Sequence, residues 1–310
     1  MPVKRKILAY GKLLRFDSWQ VWLFNFLLGC ILFELPPIGR FIVVLVSFSL
    51  ATSAIFILNQ YFDRKNDRTN NLKKDLPIAS GEVSPKTGIA LFFLFISISL
   101  TSAFFTDISI FLLLVAFMLL GMGYSIPPFC FKNRPGWDVI VCGVGAGILP
   151  FFIGVQTVPL LTLQFEFQWI VRRYQDALFV ALPIFLIQCA GQIYQVVGDY
   201  EADVFAKINT FAVKYGRKTA LRFSTILLLA TMSLPIIYEV FSLSLTPFLG
   251  WYLIAFACLV PCLLYFIKRT QDPSEKTFKK LRDLARRAGP GILLILILYV
   301  FVIKLILQGI

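Results

Sequence analysis

The sequence predicts an all-α membrane protein, a bundle of nine transmembrane helices, on three observations. First, 58% of its 310 residues are hydrophobic and 15% are charged, whereas a typical soluble domain has roughly 45–50% apolar and about 25% charged residues. Second, the apolar residues form nine runs close to the ~20 residues that span a bilayer. Third, nearly all of the 30 Lys and Arg residues lie in alternate connections between these runs.

Short polar connections separate the nine runs, so we expect a single transmembrane domain over residues 1–310. A basic amphipathic stretch from Lys4 to Arg15 leads into the first run, which we interpret as an uncleaved helix. The approximate limits of the runs are 18–36, 40–61, 88–106, 108–128, 137–160, 177–198, 219–241, 245–267 and 289–308.

The basic residues predict the orientation in the membrane. They cluster before the first run and after the second, fourth, sixth and eighth runs, whereas the other connections contain only Arg40, Arg172 and Arg173. Positive charge favours the cytoplasmic side. We therefore expect a cytoplasmic N-terminus and, with an odd number of helices, a C-terminus on the opposite side. Because these charges flank membrane spans rather than forming one separate face, we do not expect nucleic-acid binding.

The absence of histidine narrows the possible chemistry. It excludes His-based catalytic triads, HExxH zinc sites and imidazole bases, and the six cysteines form no CxxC pair. Any metal must therefore be held by oxygen ligands, which favour magnesium, calcium or manganese.

Acidic residues recur at helical spacing near two run ends that we expect on the same membrane face. Asn59, Asp63 and Asp67 form a first acidic stripe, and Asp199 and Asp203 form a second. Residues four apart lie on one face of an α-helix, where like charges repel each other. A bound cation would relieve this repulsion, so we expect the stripes to hold one or two Mg²⁺ ions with substrate phosphate. The alternative is that they are solvated helix ends.

Polar and basic residues surround the stripes. Gln192 and Gln195 continue the second stripe into the membrane. Basic residues near metal-binding carboxylates can hold a diphosphate and stabilise its departure; alternatively, they mark topology or contact lipid headgroups. The candidates for diphosphate binding are Arg68, Lys73, Lys74, Lys132, Arg134 and Lys207.

Three segments resemble the UbiA superfamily of intramembrane prenyltransferases. Residues 59–70, followed by DLPIASG at 75–81, resemble its first signature. DYEAD at 199–203, followed by Asn209-Thr210, resembles its second. YSIPPFCFKNRP at 124–135 is similar to a segment of branches that act on chlorophyll precursors and carotenoids. Leu76 departs from the family, which often has Arg or Lys before this proline, so Lys73 or Lys74 would supply that charge.

The resemblance implies a helical bundle in which Mg²⁺ links the acidic motifs to a prenyl diphosphate, with the tail in an apolar tunnel. Asp63, Asp67, Asp199 and Asp203 then act as catalytic metal ligands, joined by Asn59. The resemblance also implies an integral membrane enzyme with its active site toward the cytoplasm. The expected partners are the prenyl diphosphate donor, membrane lipid and a lipophilic acceptor.

Ionisation of an allylic diphosphate gives a carbocation that must be kept from water, which a membrane-embedded apolar cavity excludes. Aromatic rings can stabilise such a cation, although each ring can equally serve in packing. The candidates for this prenyl and acceptor pocket are Phe56, Tyr124, Gln192, Tyr194 and Gln195.

The predicted activity is thus Mg²⁺-dependent prenyl transfer to a lipophilic acceptor. Two alternatives remain open: a UbiA-type terpene cyclase, and an ion-coupled transporter that uses the acids as an ion path. The acceptor and the donor chain length are not fixed by the sequence; the segment around Tyr124 favours a carotenoid-like or other non-quinone acceptor.

Overall fold

The computed structural model describes residues 3–32, 35–70, 73–159 and 167–242, together with Leu298. All regular secondary structure within these ranges is helical, in agreement with the predicted class. The last two predicted helices, 245–267 and 289–308, fall outside the described residues apart from Leu298, and so does the predicted side of the C-terminus.

The described residues form eleven α-helices in chain order. They are α1 (Val3–Leu13), α2 (Phe16–Leu32), α3 (Ile38–Thr69), α4 (Pro85–Thr106), α5 (Ile108–Ser125), α6 (Trp137–Cys142), α7 (Leu149–Thr157), α8 (Phe167–Gly198), α9 (Tyr200–Phe205), α10 (Phe211–Tyr215) and α11 (Arg217–Ser242). A π-helical segment, Gly143–Ile148, joins α6 to α7.

Within the part of the chain that the structure describes, five helical stretches are long and apolar enough to cross a membrane: Ile38–Thr69, Pro85–Thr106, Ile108–Ser125, Trp137–Thr157 and Arg173–Gly198. They correspond to the second to sixth predicted runs. Helices α3 and α8 have 32 residues each, which is about 48 Å at 1.5 Å per residue. Both are longer than the ~30 Å hydrocarbon core, so the apolar runs mark only part of each helix.

Local sequence explains where α4 and α5 begin. Pro85 occupies the first turn of α4, and the hydroxyl of Ser84 accepts a hydrogen bond from the Thr87 amide at 3.1 Å. The carboxylate of Asp107 accepts from the Ser109 amide at 2.8 Å, which caps α5. Such caps satisfy amides that lack a partner within the helix. With Asp107 alone between them, the two helices form a tight hairpin.

Two glycines allow α2 and α7 to pack backbone against backbone. A Cβ atom on Gly29 would collide with the carbonyl oxygen of Phe151, and a Cβ atom on Gly154 would collide with that of Phe26. No side chain can be inserted at either position without moving a helix. The seam therefore fixes α2 and α7 relative to each other.

Two apolar clusters hold the helices that carry the acidic stripes. Stacked rings of Phe26 and Phe48, with centroids 5.2 Å apart, lie in the cluster that packs α3 against its neighbours. Ile193, Val197 and Ala220 belong to the cluster that packs α8 against α11. Because lipid is as apolar as these side chains, close van der Waals packing, and not removal from water, holds the membrane helices together here.

Arg40 ties three helix ends together away from the acidic stripes. Its guanidinium contacts the Asp107 carboxylate at 2.7 Å. It also donates to the carbonyls of Thr157 at 2.9 Å, Gln156 at 3.0 Å and Thr106 at 3.3 Å. We refer to this group as the Arg40 cluster.

Arg173 differs from its predicted position in a connection. It lies inside α8 with only 2% of its surface exposed, and its Nη2 donates to the carbonyls of Val155 at 2.6 Å and Val158 at 3.2 Å. The positive charge placed Arg173 before the predicted run, but carbonyls at the end of α7 accept hydrogen bonds from its Nη2 within the fold.

Candidate active site

The connection that follows the first acidic stripe reaches the second. Lys73 lies beyond the end of α3, and its ammonium Nζ is 2.9 Å from Oδ2 of Asp199 at the end of α8. Burial alone would lower the pKa of Lys73, but the charge and hydrogen bond of Asp199 raise it above its ordinary value. Lys73 therefore remains positively charged, and the ion pair joins the two stripes at one end of the bundle.

The first stripe occupies one face of α3. The amide nitrogen of Asn59 donates to Oδ2 of Asp63 at 2.8 Å, one helical turn away, and to the hydroxyl of Ser125 at 3.2 Å. The Lys132 ammonium forms an ion pair with Oδ1 of the same aspartate. Asp67 continues this face and is buried. Asn59 on the same helix and Lys132 in the connection after α5 therefore orient Asp63.

The second stripe crosses a break between two helices. Helix α8 ends at Gly198 and α9 begins at Tyr200, with Asp199 between them. The Asp203 amide donates to the Asp199 carbonyl at 2.9 Å, so the helical spacing continues across the break. Burial and the negative charge of Asp199 raise the pKa of Asp203 to about 7. The Thr210 hydroxyl donates to its carboxylate at 3.4 Å.

Paired rather than triple acids characterise this end of the bundle. In the ranges that the structure describes, no three Asp, Glu, Cys or His side chains converge closely enough to hold a metal on their own. Mg²⁺ commonly uses one or two carboxylates and completes its shell with water and substrate phosphates. The oxygen donors of the two stripes therefore fit Mg²⁺ when a phosphate-bearing substrate supplies further ligands.

A second polar contact joins α5 to α8 on the membrane side of the stripes. The side-chain amide of Gln192 donates to the phenol oxygen of Tyr124 at 3.0 Å. One turn of α5 thus presents adjacent Tyr124 and Ser125 toward the helices that carry the two stripes.

A model of the UbiA prenyltransferase family matches residues 22–285. The chain belongs to this family. The matched range contains both acidic stripes and the segment from Tyr124 to Arg134, so the resemblance noted from the sequence is confirmed.

Solved structures of UbiA homologues share the fold. A UbiA homologue from Archaeoglobus fulgidus bound to DMAPP and Mg²⁺ superposes with a TM-score of 0.72 at 23% identity, covering 95% of this chain and 98% of that one. Its complex with GPP and Mg²⁺ gives 0.68 at 22%. The apo structure of a homologue from Aeropyrum pernix gives 0.68 at 15% and covers 92% of this chain.

Curated relatives match over part of the UbiA-family chain. It is 32% identical over 167 residues to a probable homogentisate phytyltransferase from Oryza sativa, a match covering 52% of this chain and 39% of the relative. It is 26% identical over 166 residues to a 4-hydroxybenzoate octaprenyltransferase from Pseudoalteromonas translucida, covering 54% and 46%. The chain thus spans less than half the length of the curated relatives it matches.

The aromatic candidates of this UbiA-family protein occupy different surroundings. The Phe56 ring lies one turn before Asn59, with its centroid 5.1 Å from that of Trp22 and 5.2 Å from the Arg15 guanidinium. Tyr194 packs against the apolar cluster between α8 and α11. Of the three aromatic candidates, Phe56 is the one on α3, where it lies on the same face as the first stripe.

Four basic candidates lie in contacts or surroundings different from those of Lys73 and Lys132. Arg68 donates to the Ala79 carbonyl at 2.9 Å, and Arg134 donates to the Pro128 carbonyl at 2.9 Å. Each arginine thus braces its own connection.

The other two basic candidates, Lys74 and Lys207, are exposed, as is Gln195 on α8. Between the two lysines proposed to replace the missing charge before the motif proline, Lys73 is the one that contacts a stripe.

Ser125 and Asp138 belong to this region although the motif pattern does not single them out. The Ser125 hydroxyl accepts a hydrogen bond from the side-chain amide of Asn59. Asp138 begins an apolar run and is completely buried. An acid inside a predicted membrane span is by itself a signal of function, so that rule would have identified Asp138. Ser125 lies in the segment 124–135 that resembles the family, but its contact with Asn59 depends on how α5 packs against α3.

Proposed function

We propose that this protein is an intramembrane prenyltransferase that transfers a prenyl group from a prenyl diphosphate to a lipophilic acceptor. The observation that carries the proposal is that each acidic stripe forms an ion pair with a lysine from another part of the chain. Lys73, from the connection after the first stripe, contacts Asp199 of the second, and Lys132, from the connection after α5, contacts Asp63 of the first. Acids and ammonium groups from three parts of the chain therefore surround one place, as diphosphate chemistry requires.

In this proposal the two stripes hold Mg²⁺. Asn59, Asp63 and Asp67 form one set of ligands, and Asp199 and Asp203 form the other. Bound Mg²⁺ would neutralise the diphosphate and so favour its departure. The homologue structures with DMAPP and GPP, each with Mg²⁺, support this assignment by family membership.

The lysines that pair with the stripes are the main diphosphate ligands in this proposal. The ammonium groups of Lys73 and Lys132 are within hydrogen-bonding contact of stripe carboxylates, so a diphosphate bound beside those carboxylates comes within their reach. Charge-assisted hydrogen bonds to phosphate are roughly twice as strong as neutral ones. A larger, outer set at the same end would attract the donor from solution: Arg68, Lys74, Arg134 and Lys207.

The chain's own residues then protect the allylic cation. When the carbon–oxygen bond to the diphosphate breaks, the apolar interior excludes water, and the rings of Phe56 and Tyr124 offer negative faces. Tyr194, which packs between α8 and α11, is not part of this pocket in the proposal. Gln192 holds the Tyr124 hydroxyl and thereby its ring, and Gln195 belongs to the same polar stripe on α8. A carbon of the acceptor forms the new bond to the allylic carbon, and the proton that this carbon loses passes to the released diphosphate.

We further propose that the acceptor is a hydroxylated aromatic ring. Relatives named for homogentisate and 4-hydroxybenzoate support this class, and the polar pair Tyr124–Gln192 offers a hydrogen-bonding partner for a phenol. This proposal replaces the carotenoid-like acceptor that the segment around Tyr124 favours when read alone.

The charge distribution favours a site that opens toward the cytoplasm.

The test uses the purified full-length protein in lipid nanodiscs with radiolabelled prenyl diphosphates of increasing length. Homogentisate and 4-hydroxybenzoate serve as acceptors, and Mg²⁺ is replaced by excess EDTA in parallel. We expect Mg²⁺-dependent formation of a product heavier than the acceptor by whole isoprene units. Hydrocarbon formed without acceptor would indicate a cyclase instead. Ion flux without diphosphate turnover would indicate a transporter, and full turnover in EDTA would exclude the metal assignment.

A further inference from the structure

Asp138 connects two distant parts of the chain. It lies in the first turn of α6 with 0% of its surface exposed. Its Oδ1 accepts a hydrogen bond from the Gly136 amide at 2.8 Å, and its Oδ2 accepts one from the Phe211 amide at 2.7 Å. The first contact is local, but the second reaches 73 residues along the chain. One carboxylate therefore holds the beginnings of α6 and α10 together.

The beginning of α10 is itself attached to the second stripe. Thr210, which precedes Phe211, donates its hydroxyl proton to Oδ2 of Asp203 at 3.4 Å and accepts from the Val213 amide at 3.4 Å. Adjacent residues thus contact Asp138 through one backbone amide and Asp203 through one side chain. A shift of α10 would therefore move the hydroxyl that orients Asp203.

The segment before Asp138 is attached to the first stripe. Lys132 forms the ion pair with Asp63, and the next residue, Asn133, accepts a hydrogen bond from the Asn209 amide at 2.5 Å. Residues 132–138 thus contact the first stripe at one end. They also contact Asn209, in the connection after α9, and Phe211, at the start of α10. We call this segment, with its contacts to Asn209 and Phe211, the clasp.

We propose that Asp138 is a positioning residue that sets the distance between the Lys132 side and the Asp203 side of the diphosphate site. This inference rests on the proposed function, and it extends that function to a residue that touches neither stripe. A carboxylate is required because two N–H groups donate to it from two directions. Asparagine offers one acceptor oxygen and one NH₂ group, so one of the two donors would face another donor.

A purely structural cap gives a different expectation. If Asp138 only stabilised the first turn of α6, its loss would lower stability without affecting ligand affinity. Asp107 provides the matched control, because it also accepts a backbone amide at a helix start but lies in the Arg40 cluster, away from both stripes.

The experiment measures the affinity of the full-length protein in nanodiscs for inorganic pyrophosphate at saturating Mg²⁺ by isothermal titration calorimetry. We expect Asp138→Asn to weaken binding at least about tenfold, in keeping with the loss of one buried charge-assisted hydrogen bond. Asp107→Asn should bind as the wild type does. Hydrogen exchange of a peptide covering residues 206–216 should be faster in Asp138→Asn alone.

Each outcome bears on the proposal. Wild-type affinity in folded Asp138→Asn, or unchanged exchange at 206–216, would overturn it. If Asp138→Asn does not fold, the exposed Asn133→Ala decides, because it removes the second contact of the clasp: weaker pyrophosphate binding supports the proposal and unchanged binding overturns it. A wild-type protein that binds no pyrophosphate would overturn the proposed function and this inference with it. A functional prenyltransferase with an Asp138→Asn of normal affinity would overturn only the inference.

Discussion

The Lys73 ammonium lies 2.9 Å from the Asp199 carboxylate, although 126 residues separate the two in the chain. Lys73 follows the first acidic stripe and Asp199 belongs to the second, so this contact brings the connection after α3 against the end of α8. It also offsets the repulsion between acids four residues apart. The stripes can therefore coexist before any metal binds.

The first prediction concerns the two paired acids. Asp63→Asn and Asp199→Asn keep the side-chain shape but remove one charge each. We expect both proteins to fold and embed normally while turnover falls by about a hundredfold or more, because a loss of roughly 3 kcal/mol of transition-state stabilisation has that effect. Single-turnover rates at saturating Mg²⁺ measure this. Near wild-type rates in both variants would remove the stripes from the proposed site.

The second prediction separates Lys73 from ordinary surface lysines. Lys73→Met removes the ammonium group but retains most of the side-chain length. We expect the KM for the donor to rise about tenfold or more, since a hydrogen bond to a charged group contributes about 1.5–3 kcal/mol. The control is Lys86→Met, an exposed lysine at the start of α4. Equal KM values in the two variants would show that Lys73 does not contact the diphosphate.

The third prediction tests the seam between α2 and α7. Gly154→Ala places a Cβ against the Phe26 carbonyl, whereas Gly39→Ala places one in open space. Overpacking typically costs about 1–3 kcal/mol, and a rigid backbone gives way less easily than a side chain. We expect the melting temperature in detergent to fall clearly for Gly154→Ala and to stay within a degree or two for Gly39→Ala. A stable Gly154→Ala protein would mean that the helices can separate.

The fourth prediction is a pH dependence of stability. Burial alone would raise the pKa of Asp107, but hydrogen bonds from Arg40 and the Ser109 amide, with the Arg40 charge, hold it below its ordinary value. Its contribution to stability is therefore complete above that ordinary value, about 3.9, and is lost as pH falls through the lower pKa of the folded state. Because the pair is partly exposed, we expect a contribution of about 1 kcal/mol or less.

Thermal unfolding of wild type and Asp107→Asn at several pH values checks this expectation. The variant should be less stable at pH 7, and the difference should shrink as the pH falls below about 4. A difference independent of pH would assign the effect to the changed helix cap instead of the ion pair.

Local periodicity was sufficient to predict the two stripes. The hydrogen bond between Asn59 and Asp63 requires only that α3 be helical there, and a spacing of four residues already implies it. The ion pair of Lys132 with Asp63 could not be predicted in this way, because it depends on how the chain folds back after α5. Lys73 and Lys132 were both predicted as diphosphate ligands, but their partners Asp199 and Asp63 are far away in the chain and follow from helix packing.

Charge gave a weaker guide than spacing in two other places. Arg173 was expected in a connection, yet it lies inside α8, where carbonyls at the end of α7 accept hydrogen bonds from its guanidinium. Asp138 was passed over because it belongs to no repeated pattern. In both cases the charge is visible in the local sequence, whereas Arg173 and the Oδ2 of Asp138 have partners on other helices.

The Arg40 cluster bears on whether ions can leak through the protein from one side of the membrane to the other. An enzyme that keeps carboxylates at one face of a bilayer would leak ions if a hydrated path continued to the opposite face. Arg40 donates to three backbone carbonyls and pairs with one carboxylate where the ends of α4 and α7 meet the beginnings of α3 and α5. Polar groups satisfied by protein do not require water. We expect this end to lack a continuous water path across the bundle, so that the protein in vesicles preserves a proton gradient while Arg40→Ala dissipates it.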